Sequence, residues 1–103
     1  MRFMVKVSMP VEAGNLAAKS GFDKIPKILA EQKPEAVYFV AEHGKRTGVL
    51  FLDIQDVSQI PAIAEPWFLA FNAAVEFHPA MKPEDLAKAG PAIERAVKEF
   101  GQK

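Results

Sequence analysis

Four successive apolar residues, Val49-Leu50-Phe51-Leu52, stand between the turn-forming His43-Gly44-Lys45-Arg46 and the polar Gln55-Asp56. The stretch is too short for a helix of its own and reads as a strand over Thr47 to Ile54. Neighbouring side chains on a strand point to opposite faces, so a strand apolar at every position needs cover on both. Any fold for this chain must therefore place that strand inside a sheet and hide both of its faces.

The remaining elements follow from pattern. Arg2 to Met9 alternates with period two, Phe3, Val5, Val7 and Met9 on one side and Met4, Lys6 and Ser8 on the other. Pro10 ends it for want of an amide hydrogen. An alanine-rich helical segment over Val11 to Gly21 is expected, with Gly21 as a left-handed stop. Asp23 is expected to cap a helix to about Lys33, with Ile25, Ile28 and Leu29 as its apolar stripe. Glu35 to Glu42 reads as a strand joined to Thr47–Ile54 by a turn through His43 to Arg46. Asp56 and Gln59 have capping-box spacing and open a short helix. Pro66 is expected to end that helix near Ala64 or Glu65. Asn72 to Pro79 forms the last strand, Ala73, Val75 and Phe77 opposite Ala74, Glu76 and His78. A trailing helix over 83–100 carries Leu86, Ile93, Val97 and Phe100, kinked or split at Gly90-Pro91.

This order predicts an α+β fold, a single domain over 1–103 of the ferredoxin-like βαββαβ kind. Its sheet is antiparallel, its first and third strands are central, and its helices lie on one face. The other face would carry Met4, Tyr38 and either Val49 with Phe51 or Leu50 with Leu52. Half of the residues are hydrophobic and 10% aromatic, more than 103 residues readily bury alone. Hiding about 500 Å² of such surface is worth roughly 12 kcal/mol before association costs. A homodimer by sheet-to-sheet packing would supply the cover, and the trailing helix would reach across to the partner.

Met-Arg-Phe-Met-Val-Lys-Val at the start resembles the dimeric α+β barrel superfamily. So does the run from Phe51-Leu52-Asp53 through Pro66-Trp67-Phe68 to Val75-Glu76-Phe77-His78-Pro79. The layout is similar to that of the muconolactone isomerases. Gln59-Ile60-Pro61-Ala62-Ile63-Ala64-Glu65-Pro66-Trp67-Phe68 is similar to a small bacterial family of uncharacterised proteins. The superfamily resemblance implies a dimer with a small-ligand cleft, and fixes no reaction.

The sequence places Lys6 and Ser8 on the first strand beside Glu76 and His78 on the last, each pair sharing a face. Glutamate beside histidine can move protons, and a lysine can hold an enolate or carboxylate oxygen. The plainer reading is a cross-strand Lys6–Glu76 ion pair with His78 at a strand end. Trp67, Phe68 and Phe71 could line a pocket for a flat apolar ligand, although aromatics at helical spacing also serve as plain core, and the Tyr38 hydroxyl could reach a ligand or a partner. His43, Lys45 and Arg46 resemble an anion site, or are simply solvated charges on a turn.

Zero formal charge provides no field for nucleic acid or anionic membrane, and the strand from Arg46 to Phe51 lacks paired stacking aromatics. With no cysteine and two histidines on different strands, no metal site is expected. No phosphate-loop or dinucleotide motif calls for a cofactor. Lys6 and Ser8 interrupt the N-terminal apolar run, so neither a signal peptide nor a membrane span is expected, and a cytoplasmic location is. Two functional classes remain. One is a small-molecule-binding or cofactor-free enzyme domain, of isomerase or monooxygenase type, acting on a small carbonyl compound or lactone. The other is a non-catalytic sensing or dimerisation module.

Overall fold

The computed structural model describes residues 1–101. The chain runs β1 (Arg2–Ser8), α1 (Val11–Lys19), α2 (Lys24–Gln32), β2 (Ala36–Glu42) and β3 (Lys45–Asp53). It continues through α3 (Gln59–Phe71), β4 (Ala74–Pro79), α4 (Pro83–Lys88) and α5 (Gly90–Phe100). The fold is α+β, with four strands in one antiparallel sheet ordered β2-β3-β1-β4. The inner strands, β1 and β3, carry the buried side chains Phe3, Val5, Val7, Leu50 and Leu52.

The β2–β3 hairpin is tighter than the four-residue turn expected from sequence. Glu42 lies directly opposite Lys45, so the loop is His43-Gly44 alone, and Lys45 and Arg46 belong to β3. Both loop residues have positive φ, 53° and 73°. This is the backbone sense that matches strand twist, and glycine supplies it without steric cost. That turn fixes the register, pairing Val37 with Leu50 and Tyr38 with Val49. Leu50 and Leu52 consequently face the helices, while Val49 and Phe51 face the other way.

The helix after β3 also differs from expectation. It continues through Pro66 to Phe71 instead of stopping near Ala64. Pro61 falls in the first turn, where no amide bond is lost. Pro66 leaves the Ala62 carbonyl without its helical donor, a cost of about 3 kcal/mol. Against that, continuing the helix buries Trp67 and Phe71, which stack at 5.8 Å between centroids. Two aromatics burying about 150–250 Å² each contribute roughly 4–6 kcal/mol apiece, so packing wins. The start of α3 is held by Gln59, whose Oε1 accepts from the Gln55 and Asp56 amides at 2.7 and 3.0 Å. Asp56 Oδ1 accepts in turn from the Ser58 amide at 2.9 Å. Asp23 precedes α2 but makes no side-chain cap.

The core lies between the sheet and α1–α3. Phe3, Val5, Val7, Leu50, Leu52 and Ile54 meet Ile28, Trp67 and Phe71 there. The Trp67 indole is 1% exposed and its Nε1 donates to Gln32 Oε1 at 3.1 Å, while Gln32 Nε2 donates to the Ile63 carbonyl at 2.9 Å. One glutamine thereby satisfies the core's buried indole and pins α2 to α3. The trailing segment divides at Ala89 into α4 and α5, as Gly90-Pro91 predicts. It does not pack on the body. The molecule measures 58 × 30 × 20 Å with a radius of gyration of 17.7 Å, against about 13 Å for a compact chain of this length.

Candidate functional site on the open sheet face

The helices cover one face of the sheet only. Register sets the composition of the other. Met4 lies between Phe51 and His78, Lys6 between Val49 and Glu76, and Ser8 between Thr47 and Ala74. Ala36, Tyr38 and Val40 extend these rows on β2. The centre is thus apolar, with Met4, Val49 and Phe51 half-buried, and polar groups lie along the β1–β4 side. Tyr38 stands at the β2 edge, 61% exposed.

Glu76 and His78 are neighbours on one face of β4, and their side chains meet: Glu76 Oε1 lies 3.0 Å from His78 Nε2. With the proton on Nε2, that nitrogen donates to the carboxylate and Nδ1 is left with its lone pair. Lys6 stands opposite Glu76 in the register but does not pair with it. Its ammonium forms a salt bridge with Glu42, reaching across β3 to the end of β2. The hydrogen bond from Glu42 raises the Lys6 pKa above the usual lysine value, against the desolvation that lowers it, and the charges of Glu42 and Glu76 add to the rise. The same hydrogen bond lowers Glu42, against desolvation. Glu42 is the member of this group that the sequence reading missed. A two-residue turn at His43-Gly44 is the signal that puts Glu42 on the same face as Tyr38. At the far end, Arg2 clamps Glu35 with two bonds of 2.7 Å, tying β1 to the start of β2.

The aromatic candidates separate. Trp67 belongs to the helix-side core, whereas Phe68 is 41% exposed on α3. Neither is on the open face with Glu76 and His78.

A separate groove of about 900 Å³ opens on the helix side of the sheet, between the β2–β3 hairpin and the α1–α2 connection. Met9, Phe22, Ile25 and Phe39 form its walls, and Gly48 and Arg46 line it from β3. Arg46 Nη1 donates to Asn15 Oδ1 at 3.0 Å, and its guanidinium lies 5.8 Å from the centre of the Phe22 ring. Gly14 makes room for it, since a Cβ there would fall 2.7 Å from Nη1. Among the described residues neither Arg46 nor Lys45 forms a salt bridge.

The described residues hold no group of three or more His, Cys, Asp or Glu able to bind a metal ion. None of their helices is long and apolar enough to cross a membrane. A family model described as "Domain of unknown function (DUF3303)" matches residues 1–94, taking in the whole sheet and ending inside α5. No curated protein matches the chain.

Proposed function

We propose that this chain, which belongs to the DUF3303 family, is a homodimeric small-molecule-binding domain whose ligand sits over the open sheet face. The carrying observation is the hydrogen-bonded Glu76–His78 pair bordering the apolar patch of Met4, Val49 and Phe51. A ferredoxin-like unit packed sheet against sheet with a second copy, as in a dimeric α+β barrel, turns that exposed pair into the wall of a cleft. The βαββαβ order and the inner position of β1 and β3 support this reading.

The chemistry that fits is proton transfer on a small carbonyl compound or lactone. His78 Nδ1 takes a proton from the ligand, Glu76 stabilises the resulting imidazolium, and the Lys6 ammonium attracts the developing enolate oxygen. Glu42 keeps Lys6 charged, and Ser8 and Tyr38 offer hydroxyls along the same face. A non-catalytic sensing or dimerisation module is the second reading. It is favoured by the exposure of the Glu76 and His78 side chains, 61% and 48% in a single copy.

Thermal-shift screening against aromatic acids and lactones tests the proposal, because a ligand at about 100 times its Kd stabilises by about 2.7 kcal/mol. The Glu76→Gln, His78→Gln double variant should lose the shift or the turnover of a hit while remaining dimeric. Unchanged ligand behaviour in that variant refutes the site. A retained shift without turnover in the wild type selects the sensing module.

A further inference from the structure

Every residue from Pro91 to Phe100 is exposed, although Ile93, Val97 and Phe100 form one apolar stripe at i, i+4 and i+7. Phe100 is 81% exposed. The 11 residues of α5, cut off from α4 by Gly90-Pro91, fall below the roughly 12–15 residues at which an isolated helix is even marginal in water. Such a helix needs a surface to lie on. The same chain carries an uncovered one of matching character. Tyr38, Phe39 and Val40 are exposed in succession on β2, and Phe39 points to the helix side, into the groove beside Gly48.

We infer that α5 of one copy docks on the helix-side face of β2 in a second copy, setting Ile93, Val97 and Phe100 against Phe39 and the groove. The inference rests on the sheet-to-sheet pairing proposed above, and adds to it a reciprocal exchange of arms.

Three observations select this occupant. β2 and β4 are the two edges of the sheet; with the two-fold axis parallel to the strands, the arrangement this inference takes, β4 of one copy lies over β2 of the other. The chain passes from β4 into α4 and α5, so the arm leaves its own body beside the partner subunit's edge strand. Length agrees as well. α5, the docking helix, spans about 16 Å at 1.5 Å per residue, which fits within the about 23 Å of β2.

The chain has no cysteine, so single introduced thiols report one contact cleanly. Val97→Cys and Phe39→Cys, made in separate full-length chains and mixed in a glutathione buffer, should form a covalent heterodimer. Leu69→Cys, an exposed position on α3, should give no such product with Val97→Cys. In sedimentation equilibrium the Val97→Asp, Phe100→Asp double variant should associate about 100-fold more weakly than the wild type. Wild-type association in that variant, with no link between positions 39 and 97, overturns the exchanged arm and leaves the sheet pairing standing. A wild-type chain that is monomeric at micromolar concentration overturns both.

Discussion

On β3, Leu50 and Leu52 are sealed into the core with Trp67 and Phe71, while Val49 and Phe51, one residue away each, stay half-buried on the open side. The four side chains are chemically alike and contiguous in sequence. What separates them is cover: three helices lie on one face and none on the other. On β1 the same contrast appears between Val5, fully buried, and Met4. Apolar content alone thus says that both faces want covering. Only the length of chain available for helices says that a single copy can cover one of them.

Substitutions on β3 offer the sharpest way to break this comparison. Leu50→Ala should cost about 2–5 kcal/mol in urea unfolding, because it removes a fully buried side chain and leaves a cavity. Phe51→Asp should leave the fold in place and abolish self-association in sedimentation. If Phe51→Asp unfolds the chain as readily as Leu50→Ala, the two faces are not different in kind.

A smaller effect is expected at the polar link inside the core. Gln32→Ala should cost about 1–3 kcal/mol, since it leaves the buried Trp67 N–H without an acceptor. The single tryptophan makes fluorescence-detected unfolding a direct readout. No open-face substitution has such a partner to orphan inside a single copy.

The smallest effects belong to the open-face ion pairs. Glu35 and Glu42 both titrate lower in the folded chain than the ordinary 4.5, through their hydrogen bonds to Arg2 and Lys6. Their contribution is therefore present above about pH 4.5 and lost as pH falls through their folded values. Glu42→Gln should flatten the acid limb of the stability curve slightly, and these exposed pairs are worth little beyond that. A large loss of stability at pH 7 in this variant would mean that the face is already covered and dry.

Much of this architecture was legible in the sequence because it rests on period-two alternation. Phe3, Val5 and Val7 could be assigned to one face without knowing what covers them. The face of Val49 and Phe51 could not, since an unbroken apolar run carries no alternation. His43-Gly44 settles it through the hairpin register, and reading the turn as four residues hid that information. Pro66 misled for a different reason. The backbone penalty of a proline is local and visible in sequence, whereas the burial of Trp67 and Phe71 that outweighs it is tertiary. On the open face, the i, i+2 rule puts Glu76 beside His78, and their side chains do meet. The partner of Lys6 was missed because Glu42 is reached diagonally across a whole strand rather than from directly opposite.

Sedimentation equilibrium of the full-length chain at micromolar concentration tests the central claim most directly. Twice the chain mass is the expected result. The mass of one chain across that range, with the face around Met4 and Phe51 open to water, would contradict it.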